Sequence, residues 1–192
     1  MEEILAKGHR GVVYLVKYKG KKAVKKVEKS DSSALNRIQN EVFWLKKLNE
    51  CGIGPKLYFS ERNYFICEFV KGKRIIDFLK ESRNPGKIIL NVLKQCRVID
   101  EMKADKKEMS NPYKHILVKK NKAVMIDFER MKYSLKPQNV TGVFHFLTSK
   151  KVYSILKEKG IFIDKDKLIE LLKKYKRSYS DKDFGNLMKI FY

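Results

Sequence analysis

Two glycines and a lysine near the N-terminus are spaced to handle a phosphate. Gly8 and Gly11 carry no side chain, so a loop built on them can close on a polyphosphate and offer backbone N–H groups to its oxygens. The returning stretch Ala23-Val24-Lys25 is β-rich. With Val24 anchored in a core, Lys25, one step along, faces the opposite side and is aimed under that loop. Glu41 stands one residue before the apolar Val42 in an amphipathic stretch, where it can present a carboxylate to Lys25 and hold that side chain extended. Asp127 follows the apolar run Val124-Met125-Ile126. A carboxylate at the end of a buried strand is costly unless it is paired or bound to metal, and a divalent ion bridging phosphates suits it.

These residues need a scaffold, and the pattern supplies one. Residues 2–7, 11–18 and 21–28 predict three strands, the last two joined at Lys19-Gly20. Asp31, Ser32 and Ser33 are N-cap candidates for a helix whose apolar positions are Leu35, Ile38, Val42, Leu45 and Leu48. Strands at 56–60 and 64–69 follow, which makes five strands with one helix inserted after the third. Lys71-Gly72-Lys73 forms a short joint. Beyond it the pattern is mostly helical, over 75–81 and 87–102 and in three or four helices from Asn139 on, with starts at Asp164 and Ser180. A hairpin, 115–119 with 123–128, interrupts this run. The expected organisation is therefore α+β, with a β-rich part over 1–70 and a reduced helical part over 71–192.

Composition bounds the partners. The chain has 192 residues and is 43% hydrophobic and 34% charged, as folded proteins are, and its net charge of +22 favours an anionic partner such as nucleotide, RNA or an acidic protein. The basic run Lys173-Lys174-Tyr175-Lys176-Arg177 fits RNA as well as it fits a helix C-terminus. Cys51, Cys67 and Cys96 are odd in number, far apart and set in apolar runs, which reads as reduced core thiols. His and Cys spacing offers no zinc site, and His145 reads as an ordinary helix residue. His9 and Arg10 sit at the tip of the glycine loop, within reach of a phosphate or simply solvated. No window reaches the roughly 18 apolar residues of a membrane span, and the opening Met-Glu-Glu-Ile lacks a basic region followed by an apolar stretch. A soluble, cytoplasmic protein is expected.

Taken in order, Ala6-Lys7-Gly8-His9-Arg10-Gly11-Val12-Val13, Ala23-Val24-Lys25, Glu41 and Ile126-Asp127-Phe128 resemble the protein-kinase-like superfamily over about residues 1–145. The resemblance implies a two-lobed protein-kinase-like fold: a five-stranded antiparallel N-lobe with one helix, and a small, mostly helical C-lobe. It implies that Gly8 and Gly11 cover the nucleotide phosphates, Lys25 contacts the α and β phosphates, and Glu41 fixes Lys25. Glu68, Phe69 and Val70 would form the adenine-binding hinge, Val13 and Ala23 would join the nucleotide-binding set, and Asp127 would hold magnesium.

The departures are specific. Ala6 replaces the first glycine of the loop. Counting back from Ile116-Leu117-Val118 puts His115 at the metal-binding asparagine, as in kinases of lipopolysaccharide sugars, and Ser110 at the catalytic aspartate. A serine hydroxyl is no general base at neutral pH, so a local shift must bring Glu108 or Asp105 into that place, or the reaction must run without a strong base. Glu129 stands where a glycine usually follows Asp-Phe and restricts the backbone, and no Ala-Pro-Glu follows. The expected activity is an atypical, ATP-dependent phosphotransferase using Mg2+, acting on Ser or Thr of a protein or on a small-molecule acceptor. The alternative is an ATP-binding pseudokinase or regulatory module in an RNA or ribonucleoprotein complex.

Overall fold

The computed structural model describes residues 2–8, 11–29 and 36–191. The N-cap candidates Asp31, Ser32 and Ser33, the apolar Leu35, and the loop-tip residues His9 and Arg10 lie outside the described residues. Strands β1 (Glu3–Lys7), β2 (Gly11–Tyr18) and β3 (Lys21–Glu28) come first. The β2–β3 turn sets Lys19 at φ 47° and Gly20 at φ 79°, the positive values a two-residue hairpin needs. Helix α1 (Arg37–Glu50), β4 (Leu57–Ser60) and β5 (Tyr64–Glu68) complete an antiparallel sheet in the order β1-β2-β3-β5-β4.

Next come β6 (Lys73–Arg74), α2 (Ile75–Glu81), α3 (Gly86–Glu101), β7 (Ala104–Asp105) and a 3-10 turn at Glu108–Ser110. Strands β8 (Ile116–Lys119), β9 (Lys122–Met125) and β10 (Lys132–Tyr133) precede α4 (Asn139–Thr148), α5 (Lys150–Lys157), α6 (Lys165–Ser178) and α7 (Asp181–Met188). The chain is α+β, with a five-stranded antiparallel sheet and, among the described residues, seven helices. None of these helices is long and apolar enough to cross a membrane.

Two compact units form. One comprises the described residues of Met1–Lys71 together with Val124–Met131; the other comprises those of Gly72–Ala123 and Lys132–Tyr192. A cut at residue 70 therefore leaves out a segment, Val124–Met131, that packs with the N-terminal sheet.

In the first unit, α1 turns Ile38, Val42, Leu45 and Leu48 inward at helical spacing, and these pack with Phe65 and Cys67 of β5 as a buried core. Phe128 and Met131 join them, fully buried. Gly54, at φ 80°, lets Phe128 in: a Cβ there would lie 3.0 Å from the Phe128 ring and 3.2 Å from Leu45. The expected strand at 123–128 stops at Met125, because Asp127 takes φ 64°, which no ladder accommodates.

In the second unit, α3 buries Ile88, Ile89, Val92, Leu93, Cys96 and Ile99, with Val140, Val143, Phe144 and Leu147 of α4 buried alongside. The caps fall where the sequence placed them. Asp164 accepts hydrogen bonds from the Asp166 and Lys167 N–H groups at the start of α6, and Ser180 accepts from Asp183 N–H at the start of α7.

Candidate functional site

Strand register decides which lysine matters. In β3, Val24 pairs with Cys67 and Lys26 with Phe65, so Val24 and Lys26 share the face on which Cys67 and Phe65 are buried. Val13 pairs with Lys26 across β2 and lies on that same face. Ala23 and Lys25 fall on the other one. The expected pairing of Lys25 with Glu41 is thus corrected: the Lys25 ammonium sits 2.9 Å from Glu2 and 5.0 Å from the centre of the Tyr64 ring. Ala23 is fully buried but does not share the face of the site lysine; Val24 does.

Lys26 carries the constellation. Its Nζ lies 2.6 Å from Glu41 Oε2, 3.0 Å from Asp127 Oδ1 and 3.1 Å from Glu129 Oε2. Helix α1 builds the other half of this arrangement with a second stripe, Arg37, Asn40, Glu41 and Trp44, spaced to lie on one face. Arg37 pairs with Glu129 Oε1 at 3.2 Å, and the Asn40 amide donates to the carbonyls of Glu129 and Met131. Glu41 Oε1 accepts the Phe128 N–H at 3.1 Å, and the Trp44 indole N–H donates to the Met131 carbonyl at 2.8 Å. One helical stripe thus grips the whole Asp127–Met131 turn by its backbone.

Burial works against charge on Lys26, but the carboxylates of Glu41, Asp127 and Glu129 outweigh it and hold the ammonium pKa above its ordinary value. Burial, seconded by the Asp127 charge, pushes Glu41 up despite Lys26. Oxygens of Glu41, Asp127 and Glu129 lie within 4.8 Å of one another, a donor set of the hard, anionic kind that suits a divalent cation. Asp127 is the most exposed of the three, with 37% of its side chain accessible against 4% for Glu41 and 13% for Glu129. Glu129, Arg37 and Asn40 were missed as site residues by the sequence reading, which took Glu129 only as a backbone restraint.

The glycine loop carries a backbone hydrogen bond of its own. Gly8 N–H donates to the Gly11 carbonyl at 3.0 Å, so it is engaged within the loop. Gly11 has a packing reason of its own, since a Cβ there would stand 2.6 Å from the Val27 carbonyl oxygen. Glu68 ends β5 with its N–H on the Lys56 carbonyl at 2.8 Å; Phe69 and Val70 continue toward the unit boundary, Val70 buried.

A second constellation lies wholly in the second unit. Asp105 ends the short strand β7, and its carboxylate takes the Lys107 backbone N–H at 3.2 Å and the Lys107 ammonium at 3.2 Å. The loop around it is anchored from α4: Asn139 Oδ1 accepts the Lys106 N–H at 2.8 Å, and Asn139 Nδ2 donates to the Ala104 carbonyl at 2.7 Å. Gly142 permits the close approach, because a Cβ there would lie 3.1 Å from the Ser110 backbone nitrogen. Glu108 is directed elsewhere, 3.7 Å from the ammonium of the fully buried Lys106. His115 leads into β8 and donates its N–H to the Pro112 carbonyl. An open cleft of about 150 Å3 is bordered by Asp105, Lys107, Ser110, Gln138 and His145. His145, read from the sequence as an ordinary helix residue, faces this cleft.

No protein-family model and no curated protein matches the chain.

Proposed function

We propose that this chain is an atypical, ATP-dependent phosphotransferase. The observation that carries the reading is the Lys26 ammonium held by Glu41, Asp127 and Glu129 on a turn locked to α1. A lysine kept charged and extended in this way is a fixed cation for the phosphates of a nucleotide. Lys26 takes the role the resemblance assigned to Lys25, with Val13 and Val24 on the same face beside the nucleotide and Glu68, Phe69 and Val70 as the adenine hinge. Asp127, the accessible carboxylate, would hold magnesium with Glu129 next to it; His115 remains a second candidate ligand. Magnesium, when bound, would supply charge neutralisation at the phosphates.

The base is Asp105 rather than Glu108 or Ser110. Its carboxylate is oriented by Lys107 and opens on a cleft that a hydroxyl-bearing acceptor can enter. As the acceptor oxygen bonds to the γ-phosphorus, the bond from that phosphorus to the β–γ bridging oxygen breaks and ADP leaves. The hydroxyl proton passes to a carboxylate base, the role for which Asp105 is the candidate. Positioning and charge stabilisation dominate such a transfer.

Turnover of ATP with magnesium tests the reading. We expect Asp105→Asn and Asp127→Asn each to lose about a hundred-fold or more in rate and Glu108→Gln to stay near wild type. Equal rates in all four proteins would contradict it. The net charge of +22 favours a second reading, an ATP-binding module within an RNA or ribonucleoprotein complex. RNA binding that falls steeply with salt and ignores Asp127→Asn would support that reading.

A further inference from the structure

The C-terminal helices have no part in the chemistry described so far, yet a buried polar chain ties them to the Asp105 loop. Asp100, on α3, is fully buried, and its Oδ2 accepts the Tyr175 hydroxyl of α6 at 2.8 Å. Its Oδ1 accepts the Asn139 N–H at 3.0 Å and the Asn139 side-chain amide at 2.7 Å, and Oδ2 also faces the Val140 N–H at 3.3 Å. Asn139 then holds the backbone on both sides of Asp105, through the Ala104 carbonyl and the Lys106 N–H. Tyr175 is itself fixed. It is fully buried, the Arg97 guanidinium lies 5.7 Å from its ring centre, and Arg97 in turn pairs with Asp181 at the start of α7. One turn on, the Tyr179 hydroxyl donates to the Pro137 carbonyl just ahead of α4.

A buried tyrosine needs only one partner for its hydroxyl, and a buried carboxylate needs several donors. Asp100 spends those bonds on the N-terminus of α4 and on the side chain that grips the loop. An unpaired phenol would have been simpler to build as phenylalanine.

We propose that helix α6 positions the loop carrying Asp105, acting through the Tyr175 hydroxyl, the Asp100 carboxylate and the Asn139 amide. Tyr175, Asp100 and Asn139 are positioning residues: none is assigned a contact with a reacting group. The functional half of this inference rests on the phosphotransfer reading; the mechanical half does not.

Hydrogen exchange of backbone amides in the full chain separates the two. In Tyr175→Phe the ring stays and only the hydroxyl goes. The Lys106 and Val140 amides should then exchange about ten- to a hundred-fold faster, the range expected for a hydrogen bond to a charged group, while the Ile99 and Leu93 amides of the α3 core keep their rates. Asp100→Asn, which keeps the shape and removes the charge, should do the same and serves if Tyr175→Phe is poorly folded. Magnesium-dependent ATP turnover should fall in kcat with KM for ATP unchanged. Unchanged exchange at Lys106, or an equal rise at every slow amide, overturns the positioning role. Selective loosening at Lys106 in a protein whose wild type turns over no ATP keeps that role and overturns the phosphotransfer reading instead.

Discussion

Lys25 and Lys26 are neighbours in β3 and point to opposite faces of the sheet, so a one-residue error in register exchanges a surface ion pair for the centre of the site. The sequence made that error easy. Val24 and Val27 both look like core anchors, but three residues apart they cannot share a face, and two adjacent lysines leave either parity open. The pairing with Cys67 and Phe65 settles which one turns inward. Cys67 records the same environment: burial first, then the charge of Glu41, pushes its thiol up to about 12. Its folded pKa thus exceeds the unfolded value of about 8.5, so the unfolded chain loses a proton that the folded one keeps, and stability falls as pH rises from about 8.5 toward 12. Lys26 acts in the same direction but later, since its stabilisation is complete below about pH 10.4 and is lost only above it. Urea unfolding of the wild type should show stability declining by about 1.4 kcal/mol per pH unit for each such buried thiol above pH 8.5, and Cys67→Ala should be shallower by about that amount. Identical slopes between pH 8 and 10 would show that the Cys67 thiol is not held protonated.

Helix α1 has two jobs and two stripes, one apolar against the sheet and one polar against the Asp127–Met131 turn. The apolar stripe was legible because its period is that of a helix. The polar stripe was legible only at Glu41; Arg37, Asn40 and Trp44 act on backbone and on Glu129 of a segment some ninety residues away, and no local pattern announces such a partner. The Asp105–Lys107 pair was obscured differently: β7 is only two residues long, and the loop after it is held by Asn139, 33 residues beyond Lys106. The β2–β3 ladder was read correctly in extent, and its first glycine has a packing cause that the sequence did not show. Gly11 opposes Glu28 where the strands run close, and the Val27 carbonyl fills the space of a side chain. Gly11→Ala should therefore cost about 1–3 kcal/mol through local overpacking, measured by chemical denaturation without any nucleotide. A variant as stable as wild type would return Gly11 to a role in ligand access alone.

At the scale of the molecule, the alternation of strand and helix fixed most elements to within a residue or two, and two of the helix starts were correctly read at Asp164 and Ser180. What periodicity does not carry is which distant segments share a unit: Val124–Met131 joins the N-terminal sheet because Phe128 and Met131 have their apolar partners there and Asp127 and Glu129 have their cation there. The basic residues behind the net charge of +22 are spread along the whole chain with the 22 acids interleaved, and three of those acids, Glu41, Asp127 and Glu129, gather around Lys26. The most direct measurement is the thermal stability of the wild type, Lys26→Met and Lys25→Met with ATP, with and without magnesium. A ligand at a hundred times its dissociation constant adds about 2.7 kcal/mol, which for a chain of this size raises Tm by roughly 5–10 °C. With Lys26 at the centre of the nucleotide site, that magnesium-dependent rise is expected in the wild type and in Lys25→Met and is lost in Lys26→Met. A rise that survives in Lys26→Met and vanishes in Lys25→Met would contradict that role of Lys26, as would a wild type whose Tm does not respond to ATP at all.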